Sequence, residues 1–595
     1  LGRTIYKKGL NRWVGAERIN HNSNTNMQTW KTSVSAVALA TLSFTGVAVH
    51  RATAAQLQVL YNFTGGGAGP SCNLVKGPDG NFYGTTQNGG TNQQGSVFRI
   101  ATDGALTTLF SFNVANGRNP VSGLTLGNDG NFYGTTYQGG ASDWGTLFKV
   151  TTNGVLTTLV NFTMANGGDP HGALALGKDG NFYGTTRNGG AAGFGTVFKM
   201  TPDGQLTTLA NFNSANGARP ESDLILGRDD NFYGATYYGG SADNGTVFKV
   251  TTNGTLTTLV NFTGANGANP TGGLTQGKDG NFYGTTYIGG SSGLGTVFRM
   301  TANGNLTTLV NFTGNNGETP GADLTLGPDG NFYGTTVHGG IPNSNGTIFK
   351  MTPDGALTSL FSFTEYSDGS RPYGGFPYSG LTLGSDGNFY GASYSGVNGG
   401  GGTIYRLDLP PFITSQPDSR FKSVGTTVSF KVMAAGGQPL IYQWLKNGTA
   451  LTDGGNVSGA NSTKLTLSDI QPNDAGNYSV IVSNYLGSIT SSIAVLTVLQ
   501  HGHSALVSLG ASVPDPSAPV NISGPSLQSL TSTPAVNVLT FEGTPNYQYV
   551  VQYTTDILNG PWQTLSTNSA DTNGTCVVID PAPGGPQRFY RCVSQ

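Results

Sequence analysis

Acidic and aromatic side chains are the residues of this chain that could do chemistry, and they are thinly spread. Four acids, Asp169, Glu221, Asp223 and Asp323, stand in variable stretches between regular segments. Brought together across a ring, Glu221 with Asp223 or Asp169 with Asp323 would supply the acid and base of glycoside cleavage. No segment gains a coherent catalytic set, so no catalytic residue is assigned. His171 and His338 are the histidines between residues 56 and 409, and neither has metal-ligand spacing around it. No metal and no cofactor is expected. The series Asp79, Asp129, Asp179, Asp229, Asp279, Asp329 and Asp386 invites a calcium reading. One acid per segment keeps these apart, and turn geometry accounts for them better. Cys72 has no Cys/His pattern around it and reads as a structural thiol rather than a nucleophile. The second set is aromatic and polar: Tyr137, Trp144, Arg187, Phe194, Tyr237, Tyr238, Tyr287, His338 and Tyr394, with Tyr373 in a longer stretch. Flat rings beside carboxylates and amides suit stacking on sugar rings with hydrogen bonds to hydroxyls. The plain alternative is that a tyrosine following Gly-Thr-Thr packs between neighbouring segments.

The elements that position these side chains repeat. Asn-Phe-Tyr-Gly begins at Asn81, Asn131, Asn181, Asn231, Asn281, Asn331 and Asn388, seven copies with five of the six steps fifty residues long. A period of this length marks a repeat architecture. Within one copy, four short β-rich runs alternate with Gly, Asn and Asp punctuation, as at 272–277, 281–287, 295–301 and 306–312. Asp-Gly and Asn-Gly tolerate the positive φ of tight turns, so each copy is a four-stranded antiparallel meander. Leu256, Val260 and Phe262 face one way along their strand and Leu259 the other, so both faces need cover from neighbouring copies. The run 57–63 is a lone fourth strand, and 402–408 is a third strand with none behind it. Each end supplies what the other lacks. The expectation is an all-β chain with a seven-bladed β-propeller over 56–409, its last blade completed from the opposite terminus.

The flanks read differently. Residues 1–26 are polar and basic, and Met27–Ala55 reads as a secretory signal: Lys31, an apolar run, then Ala52-Thr53-Ala54-Ala55. No later stretch is long and apolar enough to span a bilayer. Charged residues are only 10% with a net charge of −2, and no basic run follows the signal, so nucleic acid is excluded as a partner. Residues 410–499 resemble an immunoglobulin domain of the intermediate type: Val428, Phe430 and Val432 alternate, Trp444 follows, and Asp474-x-Gly476-x-Tyr478 forms the corner. Val432 and Val480 stand where that family usually places its disulfide, leaving the core to pack on Trp444. A Pro/Ser-rich linker, 500–519, carries His501 and His503. Residues 520–595 then look like a second, fibronectin type III-like β-sandwich. Cys576 and Cys592 flank Pro-Ala-Pro-Gly-Gly-Pro symmetrically. A hairpin there would set the two thiols opposite each other, as a disulfide or as two buried thiols.

The unit DGNFYGTTYxGGxxxxGTVFKMTxDGxLTTLxNF resembles the GloVer tandem repeat of secreted bacterial proteins, described as "choice-of-anchor" for their varied C-terminal attachment devices. The resemblance implies an exported, repeat-built protein of the cell surface or exterior, and it supplies no catalytic residue. No sorting motif or terminal apolar helix is evident in this chain. In each meander the turns after the first and third strands share one side and barely vary between copies. The loops on the other side do vary, and binding is usually placed on such loops. The expected function is therefore a non-catalytic extracellular binding or adhesion protein, its partner a polysaccharide or surface protein. The alternatives are a secreted polysaccharide-degrading enzyme, a hydrolase or lyase, and a structural surface-layer component. Within 364–380, Tyr366, Tyr373, Phe376 and Tyr378 would either form a lip over the ligand or cover the last blade. As a lip, residues 371–378 should be removable without loss of stability.

Overall fold

The computed structural model describes residues 55–499, apart from 65–67, 71, 342 and 343, together with six strands between 526 and 594. The tail and signal region up to residue 54 and the linker lie outside the described residues. Among those described, helix is confined to two three-residue 3-10 turns, Val397–Gly399 and Pro472–Asp474. No described helix is long and apolar enough to cross a membrane.

Each repeat forms one four-stranded antiparallel sheet. In the fifth, Thr275–Gln276, Phe282–Thr286, Thr296–Met300 and Leu306–Asn311 lie side by side in chain order. Phe282–Thr286 is buried along its whole length, as a strand covered on both faces must be. Its register sets Gly284 opposite Phe298, and a Cβ at Gly284 would lie 2.7 Å from the Phe298 ring. Glycine is there to let that ring in.

The turn before this strand explains the recurring aspartate. Asp279 Oδ2 accepts from Asn281 Nδ2 at 2.7 Å and from the Tyr283 hydroxyl at 3.0 Å, and the same two bonds form in all seven sheets. Burial alone would raise these carboxyls. The hydrogen bonds outweigh it and hold Asp79, Asp129, Asp179, Asp229, Asp279 and Asp329 below the usual carboxylate range.

The seventh sheet joins both ends of the repeat region. Gln56–Asn62 pairs antiparallel with Thr403–Asp408, from Gln56 opposite Asp408 to Asn62 opposite Thr403. No sheet closes on itself, and the cores lie between neighbours. Tyr83 stacks on Phe132 at 4.1 Å, Tyr133 on Phe182 at 4.0 Å and Tyr183 on Phe232 at 4.0 Å, and so on along the chain. The series returns to its start, with Tyr390 of the seventh sheet 4.2 Å from Phe82 of the first.

The immunoglobulin-like module follows directly. Its core buries Val432, Trp444 and Val480 completely, so two valines pack where a disulfide would bridge. The Trp444 indole donates to Ser462 O at 2.9 Å, and the Tyr478 hydroxyl donates to Asp474 O at 2.7 Å, closing the corner. Asn484 Nδ2 donates to Leu409 O and Gly437 O, each at 2.9 Å. Gln438 N reaches Asp386 O at 3.0 Å. The module is thus bonded to a turn of the seventh sheet, on the side away from the variable loops.

The last six strands form two three-stranded sheets. Here the hairpin expectation is corrected. The strand of Cys576, Thr575–Asp580, pairs with Asn537–Glu542, whereas that of Cys592, Phe589–Ser594, pairs with Gln548–Thr554. The two strands belong to different sheets and are not partners of each other. The side chains of both cysteines lie outside the described residues.

Candidate functional site

The second strand ends in Thr in six sheets and in Ser393 in the seventh, and the next residue enters the variable side. Its backbone N–H is held by a carbonyl from the preceding inter-sheet loop: Tyr137 by Asn119, Arg187 by Asp169, Tyr237 by Arg219, Tyr287 by Asn269 and Tyr394 by Phe376, at 2.9–3.2 Å. All five acceptor residues are non-glycine yet adopt φ between 52° and 57°. That left-handed backbone costs roughly 1–2 kcal/mol per residue. Its recurrence shows the loops being held to one shape for every following side chain.

These side chains meet. Arg187 donates through Nε to Glu221 Oε1 and through Nη1 to the Tyr137 hydroxyl, each at 2.6 Å. His171 Nδ1 lies 3.1 Å from Glu221 O, its ring edge-on to Tyr137 at 6.2 Å. Burial pushes Tyr237 up, helped by Tyr238, Glu221 and Tyr287 and opposed by Arg187. Burial likewise raises Tyr378, helped by Tyr287 and Tyr394, and its ring stands 5.8 Å from that of Tyr394. Tyr137, Arg187 and Glu221 therefore form one bonded cluster and Tyr378 with Tyr394 a second, and Tyr237 and Tyr287, at the equivalent positions of the sheets between, complete an arc. Such an arc offers ring faces, phenolic donors and one neutralised ion pair to a ligand.

The other aromatic candidates make their contacts elsewhere. Tyr238 packs edge-on against Tyr237 at 4.6 Å, with the Arg219 guanidinium over its far face. Trp144 covers Gly168 and leans on the core around Phe162. Phe194 is exposed, and His338 packs against Phe376 at 5.2 Å. Tyr373 packs against Phe361 at 5.0 Å, at the core of the seventh sheet.

The acids pair differently from the sequence reading. Glu221 is held by Arg187, and the buried Asp169 accepts from Asn188 Nδ2 at 2.7 Å. Asp223 instead approaches Asp323, both crowding the Cβ position of Gly273 at 3.0 Å. Burial first, then the Asp223 charge, pushes Asp323 well above the usual carboxylate range. Among the described residues no three metal-ligating side chains come together. Cys72 is buried, its Sγ accepting from Thr85 N at 3.1 Å, and burial pushes the thiol up, away from nucleophilic use. A groove of about 370 Å³ lies on the opposite, turn side, lined by Lys278, Asp279, Tyr283, Asp329, Phe332 and Pro353.

Residues 371–378 are tied into the connection between the sixth and seventh sheets. Phe376 N donates to Asn345 O at 2.7 Å, and Gly375 bridges Ser395 as Ala218 bridges Tyr238 in the fourth sheet. These bonds are the ordinary inter-sheet connection, so the added length lies just before it. The exposed turn Tyr366–Gly369 is that addition. Excising 366–369 is expected to leave the thermal midpoint within about 2 °C, whereas excising 371–378 lowers it by more than about 5 °C. Differential scanning calorimetry of the two deletions checks this.

Comparison with known proteins agrees with this organisation. A family profile for an immunoglobulin domain matches residues 410–484. Cartilage intermediate layer protein 2 of Homo sapiens is 35% identical over 96 residues, 16% of this chain and 8% of that protein. Its Mus musculus counterpart is 33% identical over 96 residues, again 8% of its length. The chain thus spans a small fraction of these relatives. Among solved structures, tandem Ig repeats of Dlar align at 22% identity over 17% of this chain and 71% of that one, with a TM-score of 0.15. Titin M4 aligns at 26% over 16% of this chain and 99% of that one, also at 0.15. The profile of the Gloeobacter/Verrucomicrobia repeat matches residues 34–229 and 223–383, and over this greater part of its length the chain belongs to that repeat family.

Proposed function

We propose that the seven sheets are the blades of a closed seven-bladed β-propeller whose loop side binds an extracellular polysaccharide, and that the protein is an exported, non-catalytic adhesion protein of the cell surface. The tyrosine arc carries this reading: Tyr137, Tyr237, Tyr287, Tyr378 and Tyr394 present rings and hydroxyls around the Arg187–Glu221 pair. Ring closure is supported by the Tyr390–Phe82 stack and by the strand that Gln56–Asn62 adds to the last sheet. An exterior setting is supported by the likeness to a protein named for a cartilage layer. The two sandwich modules serve as spacer and attachment.

The test is a polysaccharide array probed with the full chain, scoring retention and reducing-sugar release together. Retention without release is expected, and the Tyr237→Ala/Tyr287→Ala double variant should weaken it at least about tenfold. Release of reducing ends would replace this reading by the enzymatic one, with Asp223 and Asp323 as the acids to examine. No retention of any glycan would leave the arc as packing between sheets.

A further inference from the structure

Two residues before the first strand of each sheet, one position recurs: Asn73, Gly123, Ala173, Asp223, Gly273, Asp323 and Gly380. Bonds from this position run between sheets, not within them. Ala173 N donates to Asp223 Oδ1 at 2.6 Å, Gly273 N donates to Asp323 Oδ1, and Asn73 Nδ2 donates to Asp323 Oδ2 at 2.9 Å. Gly380 N donates to Asn73 Oδ1 at 2.6 Å. A Cβ at Gly273 would lie 3.0 Å from both Asp223 Cβ and Asp323 Oδ1, and one at Gly123 would lie 3.2 Å from Asn73 O. A single layer therefore touches all seven sheets. It has room for three polar side chains because the other four positions are glycine or alanine.

Two of those three are carboxyls, Asp223 and Asp323, that crowd the same spot from either side of Gly273. Two carboxylates held this close repel, which disfavours ionising both and favours a proton between them. The remaining donors in the layer are neutral amides: Gly273 N and Asn73 Nδ2 each take one Asp323 oxygen, and Ala173 N takes Asp223 Oδ1. Of the charged or titratable groups nearby, Cys72 is a buried thiol facing Asp223. His171 and Glu221 stand two residues from the layer on the loop side, where Glu221 is paired with Arg187. None of these brings a cation onto the pair.

We propose that Asp223 and Asp323 share one proton at neutral pH and that this proton latches the seven sheets together at their centre, so that the repeat region tightens on mild acidification and loosens in alkali. The carboxyl of Asp323 ionises above its ordinary range in the folded state, so folding takes up a proton. The stabilisation is complete below the ordinary carboxylate range and is lost as pH rises through the folded ionisation. The six turn aspartates held below that range act oppositely and lose their contribution only in stronger acid. The two limbs are therefore separable in one titration.

The full chain is compared with Asp223→Asn by calorimetry from about pH 5 to about pH 9. Asparagine still accepts from Ala173 N through its oxygen, and its amide donates permanently to an ionised Asp323. The native midpoint should rise by about 2 °C or more between alkali and mild acid. The variant should change less over that range and stand above the native protein at the alkaline end. An equal slope in both proteins overturns the proposal, because the histidines are common to them. Should the variant fail to fold, infrared spectroscopy of the native protein decides. A protonated-carboxyl C=O band at neutral pH that disappears in alkali is expected, and its absence at neutral pH refutes the shared proton.

Discussion

Removal of residues 56–62 is expected to abolish cooperative unfolding of the repeat region at 25 °C. The segment is the fourth strand of the seventh sheet, with six paired positions along Thr403–Asp408. Its loss uncovers an edge in which Ile404, Tyr405 and Leu407 are fully buried, and it removes Leu57, Leu60 and Tyr61 from the two cores they join. Each large apolar side chain returned to water costs about 1.5–3 kcal/mol. Several together match the roughly 5–15 kcal/mol by which folded domains are stable. Calorimetry of the truncated chain should show no repeat-region transition, and a synthetic peptide of residues 55–64 added in excess should restore one. A truncated chain that keeps its midpoint within a few degrees would mean that the strand is an accessory.

The second large effect is expected at Trp444. Trp444→Ala should destabilise the immunoglobulin-like module by about 3–5 kcal/mol. The residue is fully buried, and its indole satisfies Ser462 O, which would be left without that donor. Val432 and Val480 cannot cross-link across the gap, so no covalent bridge limits the unfolded chain. Two-domain unfolding should then show the module's transition moved or lost, with the repeat-region transition within about 1 °C of the native one. A shift in both would mean that the contacts of Asn484 and Gln438 with the seventh sheet couple the two units into one.

What could be seen in the sequence was what is local or periodic. The turn after Asp279, the alternation along Leu306–Asn311 and the fifty-residue step all act within one copy, so their chemistry is written side by side. The pairing of 56–62 with 402–408 was also legible, because a missing strand at one end matched a surplus strand at the other. The Asp223–Asp323 contact was not, since it joins residues a hundred positions apart through a layer in which the small residues matter as much as the acids. Trp144 and Tyr373 show the same limit in another form. An aromatic ring in a variable loop looks free until a neighbouring glycine or phenylalanine is found beneath it. The strands of Cys576 and Cys592 do not form the hairpin that symmetric spacing suggested, because such spacing about a turn-like sequence does not say which strand each pairs with.

The strand that completes the seventh sheet also fixes how the molecule bears force. Gln56 and Asp408 are direct partners at one end of the ladder, and Asp408 leads straight into the immunoglobulin-like module. Tension applied between the chain before residue 56 and that module would peel the ladder from this end, one pair at a time, rather than shear all six pairs together. Drag on a molecule held only through its C-terminal modules passes down through Asp408 and leaves the seam unloaded. Tethering at both termini would make the same seam the first part to open.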